Sequence, residues 1–312
     1  MAEGWGEGKG YTQPLIFTRC LTRRTFMQFW IIQTLNSLSL GALLFLLSAG
    51  FSLIFGLMRI ANLTHGALFM LGTYVGVSIM RVYPNLWVAA LLGGLTIALV
   101  GGLIERFILR ALSGNSLGQV LATLGLSFII ADLCLIVWGG DPIPVATPEA
   151  LRLPLVVFGV AFPSYRLAVI GIAVVTAIVL YLMMERTRLG AMIRAGVDDM
   201  QMARAVGIPV SRLFTTVFCL GSALAGAGGV LGGPIMSAYP GLDADMLPLA
   251  LIVVILGGVG SLVGAFAGSF IIGFIYTFGT ALLPDLAYVI LFLPMIFVIA
   301  FRPRGLFGKF AA

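Results

Sequence analysis

Four polar side chains interrupt one apolar segment, "IFGLMRIANLTHGALFMLG" at residues 54–72: Arg59, Asn62, Thr64 and His65, the single histidine of the chain. An imidazole beside amide and hydroxyl groups could form a ligand site. The same groups could instead cap a helix that begins inside a membrane, where backbone amides need acceptors. We expect Asn62 or Thr64 to act as a cap first, with gating or substrate passage as the second role of this group. Arg59 is expected to extend to the membrane interface.

Motifs for enzymatic or metal chemistry are missing elsewhere in the sequence. The segment "GEGKG" at residues 6–10 is too short for a phosphate-binding loop, and no HExxH, nucleophile elbow or paired catalytic carboxylates occur. Cys20, Cys134 and Cys219 lie far apart without a CxxC spacing, so we expect buried apolar cysteines and neither disulfides nor a zinc site. The sequence therefore predicts a protein that is not an enzyme and has no metal or cofactor.

The composition indicates an integral membrane protein. Hydrophobic residues make up 60% of the chain and charged residues 10%, with a mean hydropathy of +1.12, whereas soluble domains carry about 25% charged residues. Apolar runs of about 20 residues recur, which favours helices over a membrane barrel. The net charge of +6 is spread between these runs, so we expect no nucleic-acid partner.

Six apolar runs predict membrane-spanning helices, at about 28–47, 86–109, 118–139, 164–184, 213–233 and 286–301. Basic loops at 105–117 and 185–212 contrast with proline-rich, acidic loops at 140–163 and 234–245. Placing the basic loops and both tails in the cytoplasm puts 14 of the 18 Lys and Arg residues inside, as the positive-inside rule requires. This divides the chain into a cytoplasmic tail (1–27), a transmembrane domain (28–301) and a second cytoplasmic tail (302–312).

Two regions, 48–80 and 246–280, have the wrong length for whole spans. Counting crossings predicts a short segment at 48–58, a break at Arg59–Thr64 and a return helix at 64–80, with a second break at Gly257–Ser261. The expected fold is all-α and polytopic, with about 8–10 transmembrane or partial helices; an inverted repeat of the halves and unrelated interruptions fit equally well. Paired broken helices often mark a transport pathway. The candidate pathway or helix-break residues are Asn62, Thr64, His65, Gly66, Asp132, Gly257, Gly258, Gly260 and Ser261.

Small residues at four-residue spacing predict close helix packing. Gly264 and Gly268 continue such a row from Gly260, and Gly221, Ala225 and Gly229 form another. Small residues at this spacing let helices approach closely in lipid. Asp132 is the clearest carboxylate within a span, and it could line a pathway or hydrogen-bond to a neighbouring helix.

The loop at 185–212 is predicted to form two short helices. Asp198 is the expected N-cap of the second, Gly207 its C′ residue, and Pro209 prevents its continuation. Met200, Ala203 and Val206 give this helix an apolar stripe outside the membrane. The stripe indicates either docking to another protein or a helix lying on the lipid surface.

The segments "NSLSLGALLFLLSAGFSLIFGLMRIANLTHGALFMLGTY", "RAGVDDMQMARAVGI" and "RPRGLFGK" resemble the permease subunits of branched-chain amino-acid ABC importers, the LivH type. The resemblance runs from about residue 33 to 309, although "NLTHG" departs from the more usual "NFAHG". It implies a coupling loop at 185–212 that contacts an ATPase. The implied coupling residues are Gly190, Arg194, Asp198, Asp199, Ala203, Arg204 and Gly207.

The resemblance also implies a complex in a bacterial inner membrane. Two cytoplasmic ATPases, a second permease (a sister subunit or a copy of this chain) and an external solute-binding protein would complete it. The expected substrates are branched-chain or other hydrophobic amino acids, and urea, amides or small carboxylates stay open. An ion-coupled secondary transporter would need carboxylates at the breaks, and a membrane enzyme would need a His/Asp/Glu cluster; the sequence offers neither.

Overall fold

A computed structural model describes residues 15–302 and 305–308. The parts of the predicted tails at 1–14, 303–304 and 309–312 lie outside the described residues. A two-stranded antiparallel sheet, β1 (Pro154–Val157) and β2 (Val160–Pro163), is the one sheet among the described residues. The helices are α1 (Leu15–Met58), α2 (Thr64–Val82), α3 (Leu86–Ile104, extended by a π-helical turn at Glu105–Leu109), α4 (Ser116–Trp138), α5 (Ser164–Arg186), α6 (Arg188–Asp198), α7 (Met200–Ala205), α8 (Val210–Met236), α9 (Leu242–Gly257), α10 (Leu262–Leu282) and α11 (Ala287–Phe301).

The all-α, polytopic architecture predicted from composition is confirmed. Six of the described helices are long and apolar enough to cross a membrane, namely α1 from Phe26 onward, α3 with its π turn, α4, α5, α8 and α10. The predicted spans at 86–109, 118–139, 164–184, 213–233 and 286–301 coincide with α3, α4, α5, α8 and α11 to within a few residues. Helix α1 lies in the interior and packs against α8 and α10.

The predicted division of the first region into a span at 28–47 and a separate segment at 48–58 is wrong, because α1 is continuous from Leu15 to Met58. The small residues after Leu47 do not end the helix. Ser48 and Ala49 are fully buried, and the backbone of Gly221 in α8 occupies the space that a side chain on Gly50 would need. Ser48, Ala49 and Gly50 therefore form a close contact between helices. Small residues occur both at such contacts and at helix breaks, so the sequence alone does not distinguish the two.

Contacts along α1 define two ends of the bundle. The hairpin face carries β1 and β2, and near it Arg166 at the start of α5 donates to Asn36 of α1 at 2.6 Å. The loop face carries α6 and α7, and there Arg59 donates to the carbonyl of Val197 at 3.2 Å. Helix α1 therefore runs from the hairpin face to the loop face.

The prediction that both tails lie on one face is not supported by the described residues. Trp30 of α1 stacks on Phe278 near the end of α10, with ring centroids 5.4 Å apart. Leu306, which follows α11, instead donates its backbone amide to the Leu256 carbonyl, at the other end of the bundle. Between Phe26 and Val82 the chain forms two helices, α1 towards the loop face and α2 back from it. The sequence predicts three segments here: a span, a short segment and a return helix.

Candidate functional site

The predicted break after α1 is confirmed, and it extends from Arg59 to Leu63. The Asn62 side-chain oxygen accepts from the amide of Thr64 at 3.1 Å. Two further bonds tie the break to α4, because Thr123 accepts from the Leu63 amide through its hydroxyl and from the Thr64 hydroxyl through its carbonyl. Asn62 thus satisfies the first amide of α2 from two residues away, while Leu63, the residue directly before the helix, makes no side-chain cap bond. Thr64 anchors the start of α2 to a neighbouring helix.

His65 lies in the protein interior and does not line an open path in this conformation. Its side chain is fully buried, its Nε2 donates to the Leu47 carbonyl at 3.0 Å, and its ring packs against Phe51 at 5.2 Å between centroids. On the next residue, a Cβ placed on Gly66 would come within 2.8 Å of the Asp243 carbonyl oxygen. The start of α2 is thus packed between α1 and the start of α9.

The second predicted break is also confirmed, between Gly257 and Leu262. Gly258 and Gly260 adopt φ angles of +102° and +76°, which side chains disfavour. The Ser261 hydroxyl accepts from the Gly264 amide at 3.0 Å and so caps α10. The two breaks are neighbours at the loop face, because the backbone of Gly260 fills the space beside Gly56 of α1. An inverted repeat stays a prediction.

Residues near the C-terminus complete this break. The backbone amides of Leu306 and Phe307 donate to the carbonyls of Leu256 and Gly257 at 2.9 and 3.0 Å. These carbonyls belong to the last turn of α9, so no backbone amide of the helix donates to them. This contact could not be predicted, because nothing in "RPRGLFGK" indicates which helix end it reaches.

The predicted glycine contacts are present. Gly257 and Gly264 face each other so closely that a side chain on either would overlap the carbonyl oxygen of the other. A Cβ on Gly268 would come within 2.9 Å of the Val253 carbonyl oxygen. Gly221 lies against Gly50 of α1, and the carbonyl oxygen of Phe69 in α2 leaves no space beside Gly229. These glycines hold helices together and do not line the cavity described below.

The loop between α5 and α8 forms two helices, as predicted, but the cap differs. Asp199, and not Asp198, caps α7 by accepting from the amides of Gln201 and Met202 at 2.8 and 3.0 Å. The physical reason is the short joint: Asp198 is still the last residue of α6, so only Asp199 has the extended backbone that an N-cap needs.

The end of α7 agrees with the prediction. Gly207 has a φ of +87°, its amide donates to Arg204, and the Ile208 amide donates to Ala203; this pair of bonds is a Schellman motif. The predicted apolar stripe of α7 is only partly covered by the protein: Ala203 is buried and Met200 is partly buried. Met202 and Val206 are 61% and 69% exposed.

Helix α6 packs tightly against the end of α5. The Met184 carbonyl oxygen leaves no space beside Gly190, and the same oxygen accepts from the Arg194 guanidinium. Arg194 also lies 3.8 Å from the Glu185 carboxylate. Gly190 and Arg194 therefore fix the start of the loop to a membrane-spanning helix.

A cavity of about 630 Å³ opens at the loop face, between the end of α1, the π turn after α3 and the two loop helices. Charged side chains of both signs line it, among them Arg59, Glu105, Arg110, Asp198, Asp199 and Arg204. A small cavity of about 10 Å³ lies beside it, lined by Asn62, Gln119 and Thr123. The amide nitrogen of Asn62 is buried there and has no hydrogen-bond acceptor among the described residues.

A polar cluster that the sequence analysis missed joins α3 to α8. Glu105, 1% exposed, pairs with Arg110 at 3.0 Å and accepts from the Thr215 hydroxyl at 2.6 Å. Arg110 also donates to the Ser211 carbonyl at 2.9 Å. The available signal was a lone glutamate at the end of an apolar run, followed five residues later by an arginine.

Asp132 meets neither of its expected partners within this chain. Its side chain is exposed on α4, and among the described residues it forms no hydrogen bond or ion pair. It therefore faces outward from a single subunit and does not join the break residues at the loop face.

Comparison with known proteins assigns the family. Residues 33–299 match the family described as the permease component of branched-chain amino acid transport systems. The chain is 26% identical to the high-affinity branched-chain amino acid transport system permease protein BraD of Pseudomonas aeruginosa, over 90% of this chain and 96% of that protein. It is likewise 26% identical to LivH of Escherichia coli K12, over the same shares of the two chains.

A more distant relative and one solved structure are also similar. The probable permease protein LivH of Methanocaldococcus jannaschii is 26% identical over 74% of this chain and 75% of its own length. The PsaBC complex of Streptococcus pneumoniae with a Fab superposes with a TM-score of 0.47 and 14% identity, covering 85% of this chain and 89% of that chain. With the family match extending over nearly all of the helical bundle, the chain belongs to the branched-chain amino-acid transport permease family.

Proposed function

We propose that this chain is the membrane permease subunit of an ATP-driven importer that passes branched-chain or other hydrophobic amino acids into the cytoplasm. The family match over residues 33–299 carries this proposal, because it includes α2 to α10 completely and most of α1 and α11. The curated relatives are named for branched-chain amino acid transport. A substrate with an apolar side chain suits a helical bundle with few fixed charges.

The partners would be two cytoplasmic ATPases, a second permease subunit and an external solute-binding protein, in a cytoplasmic membrane. The loop face would then lie in the cytoplasm, with α6 and α7 contacting the ATPase. The exposed Met202 and Val206 support this role, because exposed apolar side chains beside the charged Asp198 and Arg204 suit a protein interface. Gly190, Arg194, Asp199, Ala203 and Gly207 would hold the loop in its docking shape.

The break residues would have a structural role first in transport. Asn62, Thr64, His65 and Gly66 are packed in the interior, so substrate could reach them only after the helices separate. Asp132 would be covered by lipid or by the second permease subunit. A carboxylate facing lipid at the centre of a span costs about 2.5–3.5 kcal/mol. Asp132 lies six residues before the end of α4, where the cost is smaller but still favours coverage by protein.

The first test is assembly. The chain is co-expressed with candidate ATPase and permease partners from the same genome, and the ATPase should co-purify with it. Met202→Asp should abolish the co-purification, because a charge replaces an exposed apolar contact on α7. Leu153→Asp is the matched control, because Leu153 is 79% exposed in the loop beside β1, on the other face. Retention of the ATPase by the Met202 variant would contradict the docking role.

The second test is transport. Proteoliposomes containing the complex, the binding protein and internal ATP are given labelled leucine, isoleucine or valine, and then urea, acetamide or propionate. ATP-dependent uptake of the three amino acids is expected. Uptake of urea, an amide or a carboxylate in their place would replace the substrate class, and uptake driven by a proton or sodium gradient without ATP would refute the importer.

A further inference from the structure

Arg59 is an unusual residue at the end of α1. Its φ is +56°, in the left-handed region that costs a non-glycine residue about 1–2 kcal/mol. Glycine normally occupies such a helix end, and Gly207 does so at the end of α7. A contact of the arginine side chain that glycine could not make would offset this cost.

The contact joins α1 to the loop helices. The Arg59 Nη2 donates to the Val197 carbonyl at 3.2 Å, across 138 residues of chain. Val197 lies in the last turn of α6, where carbonyls have no partner within the helix and the helix dipole is negative. A cation fits this acceptor better than a neutral side chain would.

Packing reinforces the same joint. Gly196 of α6 is buried, and a Cβ on it would come within 2.9 Å of the Leu57 side chain of α1. The first turn of α6 is fixed to the end of α5, because the Met184 carbonyl oxygen leaves no space beside Gly190. The same oxygen accepts from the Arg194 guanidinium. Helix α6 therefore bridges α5 and the end of α1.

Arg59 is also the first residue of the break that leads to α2. Three residues later Asn62 accepts from the Thr64 amide, and Thr64 is bonded to Thr123 of α4. A displacement of α6 thus reaches α2 and α4 through the Arg59 hydrogen bond, the short backbone segment from Arg59 to Asn62, and the hydrogen bonds of Asn62 and Thr64. The covalent connections of the loop reach α5 and α8 alone.

We propose that Arg59 is a positioning residue that transmits movement of the α6–α7 loop to the α1–α2 break, and so couples ATP hydrolysis to helix rearrangement. This inference rests on the proposed function. Loss of the guanidinium leaves only the packing of Gly196 on Leu57 at this joint, so movement of the loop with the ATPase displaces the start of α2 less. ATP is then hydrolysed with less transport.

The test measures ATP hydrolysed per amino acid transported, in proteoliposomes containing the whole complex and the binding protein. Arg59→Gly removes the guanidinium but relieves the backbone strain, Arg59→Ala removes the guanidinium alone, and Arg59→Lys keeps the charge. We expect the ratio to rise about five- to tenfold in the Gly and Ala variants, with less change for Lys. Arg106→Ala is the control, because Arg106 is an exposed arginine in the π turn on the same face.

The outcomes separate this inference from the proposed function. If the wild-type complex transports and Arg59→Gly keeps the wild-type ratio, Arg59 has no coupling role and the inference is refuted. An equal rise in Arg106→Ala would also refute it, because any loss of basic charge would then suffice. If the wild-type complex shows no ATP-dependent uptake, the proposed function itself fails. Size-exclusion chromatography of each variant confirms assembly, and the strain-relieving glycine variant keeps the test valid if Arg59→Ala does not assemble.

Discussion

Arg110→Ala should destabilise the subunit more than Glu105→Gln, because the two charges of this ion pair differ in burial. The Glu105 side chain is 1% exposed and the Arg110 side chain 37% exposed. Removing Arg110 leaves a buried carboxylate with the Thr215 hydroxyl as its donor. Breaking a buried pair in this way costs 3–5 kcal/mol, and the lower end, about 3 kcal/mol, applies because Glu105 borders the cavity at the loop face.

Glu105→Gln has a smaller expected effect. The glutamine oxygen still accepts from Thr215, and Arg110 keeps the Ser211 carbonyl at 2.9 Å and its access to solvent. The loss is then close to that of one ordinary hydrogen bond, about 1 kcal/mol. The double variant Glu105→Gln/Arg110→Ala should be less destabilised than the sum of the single variants, because no unpaired charge remains.

Thermal unfolding in detergent, followed by fluorescence-detected size-exclusion chromatography, ranks these variants. Arg106→Ala serves as the control, because Arg106 lies in the same π turn and is exposed. A melting temperature for Glu105→Gln at or below that of Arg110→Ala would refute the reasoning. A double variant equal to the sum of its parts would show that the two side chains act independently.

Three further predictions concern the breaks and the loop. Asp199→Ala should destabilise α7 by about 1 kcal/mol through loss of its cap, and amide hydrogen exchange at residues 200–206 should become faster. Asp198→Ala should leave that exchange unchanged. Equal effects of the two variants would contradict the assignment of the cap. Gly264→Ala should lower the melting temperature markedly, because its Cβ would overlap the Gly257 carbonyl oxygen, and unchanged melting would show that α9 and α10 separate freely. His65→Ala should lower the free energy of unfolding by about 2 kcal/mol, because a buried hydrogen bond is lost and a cavity forms. Amino-acid uptake per assembled complex should stay within about twofold of the wild type. A complete loss of uptake with normal assembly would give His65 a direct role in transport.

Much of the helical framework could be predicted, because a membrane imposes a minimum apolar length on each span. The ends of α4 and α5 follow from that requirement, and the two breaks follow from polar residues or glycines where an apolar run should continue. The same requirement explains why α1 was wrongly predicted as a span at 28–47 and a separate segment at 48–58. A helix of 44 residues rises about 66 Å, more than twice the hydrocarbon thickness, and a search for 20-residue spans divides it.

The contacts within the candidate site could not be predicted, because they join distant parts of the chain. Arg59 meets Val197, and Glu105 meets Thr215, through pairings that no local pattern encodes. The choice between Asp198 and Asp199 as a cap depended on where α6 ends, and helix boundaries vary by one or two residues in any sequence-based assignment. His65 attracted attention through its chemistry, and its burial beside Phe51 became visible only in three dimensions.

The hydrogen bonds from Leu306 and Phe307 to the end of α9 have a consequence for biosynthesis. Their acceptors, Leu256 and Gly257, are synthesised about fifty residues earlier than their donors. During translation the last turn of α9 must therefore wait with open carbonyls while α10 and α11 are inserted. The loop-face end of the bundle closes only after Leu306 and Phe307 have been synthesised, so a nascent chain that stalls before residue 306 presents a helix end with unpaired carbonyls.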